Sequence, residues 1–459
     1  MSSNGSAGAA HGPRIPTAPT ADLIPLPPRF RVDVRKLRLV GLVLREFLLM
    51  GGNFRAAMSR PCVYGVFSGR LGGLRPKETL CVGCLRCTVQ YPSVVTIRRN
   101  PERAALGTEL VSSSQAETIL YEAHRGRVPV RGAGYRGRFG GDGWDGVWLD
   151  MSEIVRPTRD GIHGREFIST VVDIGSIPKY MAFDSEGELD GPGPRVVPVE
   201  VPFFFDVLPA GTEGVLPRVF GEAAERIGTL SLVVGSGPTG RAEVPLVSGP
   251  DHPGLANLPQ SHSMIALDGW DPEAFRLLQA RFPDSLLWVR IPADGDVLEP
   301  VEHGVPVVHL VADYRGRAGG RFVLDLIRSA HERLVRAGVR EQVTLVGSGG
   351  MLMAEHVPKA IGCGLDAVGL DVAAWVALQC RIEQADGLVS RLDPPPEFSA
   401  EWGVQRLHNL ARSWRDQLLE VLGAMGMREV RRLRGETGRL MFQEEAEREA
   451  FSGIRGYDL

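Results

Sequence analysis

The sequence predicts an α/β protein whose body is a (β/α)8 barrel, preceded by a small cysteine-bearing segment and followed by a helical tail. From about residue 200 onward, short apolar runs of strand length alternate with amphipathic stretches of helical period, and eight such runs can be counted. No Gly-x-Gly-x-x-Gly opens a βα unit, so the competing open, doubly wound sheet lacks its usual phosphate turn. Of the six cysteines, three fall within seven residues ahead of the barrel.

Residues 1–30 are rich in Ala, Pro, Gly and Ser with few bulky apolar groups, which predicts a disordered leader. Residues 31–58 hold an amphipathic helix, carried by Leu37, Leu39, Val40, Leu42, Val43, Leu44, Phe47 and Leu48 and interrupted by Arg45 and Glu46. At about fourteen residues it is too short for a bilayer that needs about twenty, so no transmembrane segment is expected. Docking on the body or on a partner is the expected role, with attachment to a membrane surface the lesser alternative. Residues 59–105 form the loop-rich cysteine segment. Residues 106–199 are a connecting region dense in glycine and charge, including Gly140-Gly141, Gly143 and the run Asp150–Glu166. It reads as an extended linker pinned by salt bridges, with ligand binding by Arg159, His163 or Arg165 as the alternative.

The barrel is assigned to residues 200–385. Its strands are expected at Val201–Leu208, Leu230–Val234, Val244–Val247, Met264–Leu267, Leu286–Ile291, Val307–Val311, Val343–Val346 and Ala367–Leu370. Helices are expected at Pro217–Ile227, Asp271–Phe282, Val297–His303, Arg321–Ala337, Ala354–Cys363 and Val372–Arg381. After Pro394-Pro395-Pro396, residues 400–455 form the tail, helical over 402–451, with Leu407, Leu410, Trp414, Leu418, Leu419 and Leu422 on one face.

The cysteine run reads Cys81-Val-Gly-Cys84-Leu-Arg-Cys87-Thr-Val-Gln-Tyr91-Pro92. The spacing C-x2-C-x2-C places three thiolates around one face of an iron–sulfur cube, and the bacterial ferredoxin run continues with x3-C-P. Here Tyr91 stands at the fourth position. Cys62 is the nearest spare thiol, so Cys62, Cys81, Cys84 and Cys87 are the candidate ligands of a 4Fe-4S cluster, or of a 3Fe-4S cluster if the fourth ligand is missing. A zinc knuckle or a set of buried thiols is the alternative. Cys363 and Cys380 sit in apolar helical stretches and read as core residues. Sparse, unpaired cysteines and an oxygen-sensitive cluster point to a reducing, cytoplasmic compartment. A net charge of −3 with a pI near 6.4 offers no basic surface that would suggest nucleic acid.

Barrels commonly hold phosphate at the loops after strands seven and eight, where glycines let backbone N–H groups approach an anion. The predicted seventh strand ends in Gly347-Ser348-Gly349-Gly350, ahead of a helix beginning near Ala354, which favours a phosphate-bearing cofactor over a plain turn. Asp371, after strand eight, would oppose such an anion unless it caps the following helix.

The run Val343-Thr-Leu-Val-Gly-Ser-Gly-Gly350-Met-Leu-Met-Ala-Glu355-His-Val-Pro-Lys359-Ala-Ile-Gly-Cys-Gly-Leu-Asp366, with Asp150–Glu166, the cysteine segment and the tail from Trp402 through Trp414, resembles the FMN-binding glutamate synthase family. The similar branch fuses a ferredoxin-like segment to the synthase barrel, and the resemblance covers nearly everything after residue 60. It implies FMN in the barrel, passing electrons to 2-iminoglutarate formed from 2-oxoglutarate and ammonia. It also implies Ser348, Gly349, Gly350 and the turn at Asp371 as the phosphate site and Pro209-Ala210-Gly211 as the floor beneath the flavin ring. Arg290 takes the place of the family's lysine near the ring, as the cation that stabilises reduced flavin, with a salt-bridged barrel residue as the equal alternative. No glutaminase domain is seen, so an ammonia-supplying subunit and an electron-donor subunit are the expected partners. The family's Gly-Glu-Gly-Gly and His-Asp-Gly-Gly-Thr-Gly motifs are replaced, the second by His309-Leu-Val-Ala-Asp313, and no second cysteine cluster follows Cys380. Two readings remain: an FMN and iron–sulfur oxidoreductase subunit of glutamate-synthase type, and a non-catalytic scaffold or regulatory subunit that has lost the flavin.

Overall fold

A computed structural model describes residues 18–53, 62–68, 72–128, 140–151, 168–180, 182–190, 193–234, 240–256, 258–259, 262–385 and 388–446. The run 152–167, with Arg159, His163 and Arg165, lies outside them. Two compact units emerge, one formed by Ile24–Glu117 and the other by the rest of the chain.

In the larger unit eight parallel strands close into a barrel: Phe203–Phe205, Ser231–Val234, Glu243–Val247, Met264–Asp268, Leu286–Pro292, Val307–Val311, Thr344–Ser348 and Ala367–Leu370. Closure is made where Leu370 of the eighth strand pairs with Phe205 of the first. The strands are rich in Val, Ile, Leu and Phe because they are buried on both faces, inward by one another and outward by helices. Helices follow at Leu216–Ile227, Pro272–Arg281, Leu298–Glu302, Val323–Arg336, His356–Cys363 and Val372–Ala377. The second of these begins at Asp271, whose carboxylate accepts the Glu273 and Ala274 N–H groups, with Pro272 at the first helical position.

Several boundaries differ from the sequence expectation. The leader is not disordered to residue 30. Ala18 and Ala21 lend carbonyls to Asn409 and Trp402, Asp22 pairs with the buried Arg406 at 2.8 Å, and Phe30 starts a strand. Such partners lie far along the chain and leave no local signal. The last barrel helix stops at Ala377, and Arg381 begins a hairpin, Arg381–Ala385 with Leu388–Asp393. The tail helix Ala400–Ala424 buries the six predicted apolar residues, with Trp414 edge-on to Phe203, but the chain then continues in short turns and the strand Leu440–Phe442. Nor is the connecting region a plain linker. Its strands Val172–Ser176 and Arg195–Val199 pair antiparallel, and Thr344, at the start of the seventh barrel strand, binds the Gly175 backbone, so this ribbon covers the bottom of the barrel.

In the smaller unit, strand β1 (Phe30–Val34) pairs antiparallel with β2 (Val95–Arg99), and helix α1 (Lys36–Leu49) follows β1. Its core is thin: Val32, Val66, Cys81, Val94 and Val95 are buried, with Leu39, Leu42, Cys62, Cys87 and Tyr91 packed against them. Among the described residues, no helix is long and apolar enough to cross a membrane.

Candidate functional site

Active centres of such barrels lie at the C-terminal ends of the strands. Here that end gathers a connected set of polar side chains. Arg290, on the fifth strand, donates through Nη2 to Asp206 at 3.2 and 3.4 Å, and through Nη1 to Asp268 at 3.3 Å. Asp206 directly follows the first strand, and Asp268 ends the fourth. His309, on the sixth strand, meets the Ser348 hydroxyl at 2.8 Å, and Ser348 also bonds the Asp206 carboxylate. The set rests on aromatic rings, with Phe204, Trp288 and His309 packed edge to face at 5.0–5.5 Å between centroids.

Burial dominates the electrostatics. It would raise the carboxyl of Asp206, but the Arg290 guanidinium, His309, the Ser348 hydroxyl and the Val207 N–H hold it below the ordinary carboxylate range. Burial, aided by Arg290 and opposed by Asp206, drives His309 down to about 3, so its imidazole is neutral at neutral pH. Asp371 is pushed the other way, to about 8, by burial and by the Asp206 charge. It does cap the last barrel helix, accepting the Val372 N–H at 2.5 Å. The consequence is a carboxyl that keeps its proton at neutral pH. Tyr314 lies edge-on to Trp375 at 4.9 Å, and burial with the Asp371 and Asp206 charges raises its phenol above the usual range.

The structure brings Arg290, Ser348 and Asp371 of the sequence candidates to this face together with Asp206, Asp268, His309 and Tyr314, which sequence reasoning did not select. A usable signal was present: a charged or imidazole group at or near the C-terminal end of an otherwise apolar strand, as in Phe203-Phe204-Phe205-Asp206. Arg290 is no lone cation, since two carboxylates share its charge. Pro209-Ala210-Gly211 follows the first strand and is held to the 381–393 hairpin, with Gly211 N–H donating to the Ser390 carbonyl at 3.1 Å. Gly349 and Gly350 have φ of +99° and +73°. A Cβ on Gly349 would lie 2.5 Å from the Asp313 carbonyl oxygen, and one on Gly350 would lie 2.8 Å from Gly316 Cα. Close approach of the chain's own 312–316 loop is therefore a sufficient reason for both glycines.

For a flavin ring the donor set fits. Arg290 Nε and the indole Nε1 of Trp375 are buried N–H groups without a partner among the described residues. For its phosphate the fit requires the 312–316 loop to yield space over the glycine turn.

In the smaller unit, Cys62, Cys81, Cys84 and Cys87 line one small cavity with Val32, Val66 and Ile97. Gly83, at φ +70°, makes the turn between Cys81 and Cys84, where a Cβ would strike the Phe30 ring at 2.3 Å. Leu85 also has a positive φ, 59°, and starts the short helix Arg86–Gln90 that presents Cys87. Burial raises the thiols of Cys81 and Cys87, and the neighbouring cysteines add to the rise at Cys81. Tyr91 packs into the thin core. Among the described residues, no three His, Cys, Asp or Glu side chains stand at metal-binding distances, although the donor type and the shared cavity fit a thiolate-bound cluster.

A profile of the conserved region in glutamate synthase matches residues 314–389, from Tyr314 through the seventh and eighth strands to the hairpin. An archaeal-type glutamate synthase (NADPH) of Dehalococcoides mccartyi is 26% identical, over 79% of this chain and 87% of that protein. An archaeal glutamate synthase (NADPH) of Archaeoglobus fulgidus is 23% identical, over 83% of this chain and 90% of that protein. Among solved structures, a mandelate oxidase mutant with an FMN monooxide adduct superposes with a TM-score of 0.43 at 13% identity, covering 72% of this chain and 91% of that one. The conserved-region profile and the long relatives agree: the chain is similar to glutamate synthases over about four fifths of its length.

Proposed function

We propose that this chain is a glutamate-synthase-like oxidoreductase subunit that takes electrons at an iron–sulfur cluster in the small unit and delivers them to FMN at the C-terminal face of the barrel. The observation that carries the reading is the position of the family match: residues 314–389 supply Tyr314, Ser348 and Asp371 to the polar face. Cys62, Cys81, Cys84 and Cys87 would hold the cluster. Arg290 and Trp375 would donate to the flavin ring, and Ser348, Gly349 and Gly350 would meet its phosphate. When bound, FMN converts single-electron delivery into two-electron transfer. The chain's own groups divide the proton work. Asp206 is the ionised carboxylate, His309 stays neutral, and Asp371 retains a proton that it can give to a reacting group below about pH 8. Ammonia supply and electron input come from partner subunits in the cytoplasm.

The second reading, a scaffold without flavin, draws on the loop 312–316 over the glycine turn and on the two carboxylates that already pair with Arg290. Anaerobic purification followed by an absorbance spectrum, iron analysis and FMN titration separates the two. The oxidoreductase reading expects brown protein with about four irons per chain and stoichiometric FMN uptake. Folded protein with neither iron nor FMN affinity establishes the scaffold.

A further inference from the structure

Among the described residues, helix α1 presents a row of exposed apolar side chains. Leu37, Val40, Leu44 and Leu48 are 90%, 61%, 58% and 69% exposed. At about 100° per residue they fall within one sector of about 80°. Gly41 lies about 20° beyond the edge of this sector, and a Cβ built there would meet no atom within 4 Å. The opposite side faces the small core through Leu39 and Leu42. Arg45 and Arg38 border the stripe on one side and Lys36 on the other, so a basic residue stands at each edge of the apolar strip.

The charge of the surrounding unit points the same way. Between Ile24 and Glu117 the sequence has 15 Lys and Arg against 6 Asp and Glu, a net charge of +9 in a chain whose total is −3. The overall balance conceals this basic unit. The occupant of the stripe must therefore be apolar and anionic together. A protein partner is the weaker match, because the exposed side chains of the strip are Leu and Val, with Phe47 beside Val40 only partly exposed, whereas protein interfaces concentrate their energy in aromatic and Arg anchors.

We propose that α1 lies in the headgroup layer of an anionic lipid bilayer, with Leu37, Val40, Leu44 and Leu48 immersed and Lys36, Arg38 and Arg45 reaching back to lipid phosphates. This is the arrangement of an interfacial amphipathic helix whose long basic side chains snorkel at the rim. The basic unit adds long-range attraction to the surface, which salt screens.

Full-length chain is mixed with phosphatidylcholine vesicles, with or without phosphatidylglycerol, and floated on a density gradient. The chain is expected to float with the anionic vesicles, to do so less at high salt, and to bind neutral vesicles poorly. The double variant Leu37→Glu/Leu44→Glu should weaken binding by roughly tenfold or more, and Lys36→Glu/Arg45→Glu should reduce the lipid-charge preference. Both leave the inner face of α1 intact, which circular dichroism checks. As an independent readout, the emission spectrum of Leu48→Trp should shift to the blue on anionic vesicles. Failure to float overturns the proposal. So does flotation that the Leu37→Glu/Leu44→Glu variant leaves unchanged, which assigns binding to bulk charge alone. Concentration-dependent self-association without lipid, abolished by that variant, would assign the stripe to a second copy of the chain.

Discussion

In the barrel unit the functional charges lie inside and answer one another, whereas in the Ile24–Glu117 unit they lie outside and are mostly of one sign. Arg290 is enclosed with Asp206 and touches Asp268. Arg340 and Arg434 converge on the partly buried Asp366 in a second such set. The small unit instead has, among its described residues, eight buried apolar residues, five of them in one cluster that includes Cys81, and a helix whose apolar side faces outward. A unit large enough to bury four tryptophans can carry buried ion pairs on the strength of its packing. The small unit has no such reserve, and four thiols on one cavity are its obvious route to added stability.

If that contrast is right, the largest effect follows loss of the thiols. Cys81→Ser/Cys84→Ser should abolish iron binding and leave Ile24–Glu117 open to limited proteolysis while the barrel's calorimetric transition survives. Protection equal to the parent's would show that the small unit is stable on its own core.

Next in size is Arg290→Met, which leaves Asp206 buried and unpaired and is expected to cost about 3–5 kcal/mol. Adding Asp206→Asn should restore much of that loss in a double-mutant cycle read by denaturant unfolding. If the second change adds its own loss instead, the pair is not coupled. The stability cost must be separated from any shift in flavin potential, because the guanidinium holds the barrel face together as well as facing the proposed ring.

Gly350→Ala places a side chain 2.8 Å from Gly316 Cα at φ +73°, so it should destabilise the barrel by about 1–3 kcal/mol. The glycine turn and its overlying loop thus form one packed unit, and a substitution there disturbs the fold as well as phosphate approach. An unchanged melting temperature would mean that the 312–316 loop is free to move aside.

The last effect depends on pH. The Asp371 carboxyl, raised to about 8 in the folded chain, binds a proton that the unfolded chain releases near 4. Its contribution to stability is therefore full below about pH 4 and declines as pH rises to about 8. Asp371→Asn keeps an oxygen to cap Val372 and carries no charge. It should raise the melting temperature at pH 8 and leave it almost unchanged at pH 4. An equal rise at both values would exclude titration of Asp371 as the cause.

The sequence by itself determined the barrel, because parallel strands buried on both faces must be apolar runs and the helices between them must keep one apolar stripe, and both periods are local. It also determined the cysteine spacing and the resemblance carried by the Val343–Asp366 run. Candidates such as Ser348, Gly350 and Asp371 were legible because they follow strands directly. Tertiary structure alone decided which groups meet there. Three strands lie between Asp206 and Arg290, and only barrel closure brings them to 3.2 Å. It also decided that Cys62 shares the cavity of the other three cysteines, that residues 18–23 are held by the tail helix, and that α1 turns its leucines outward. Hydrophobic periodicity reports that a helix has an apolar face, whereas the direction of that face depends on where the rest of the chain packs.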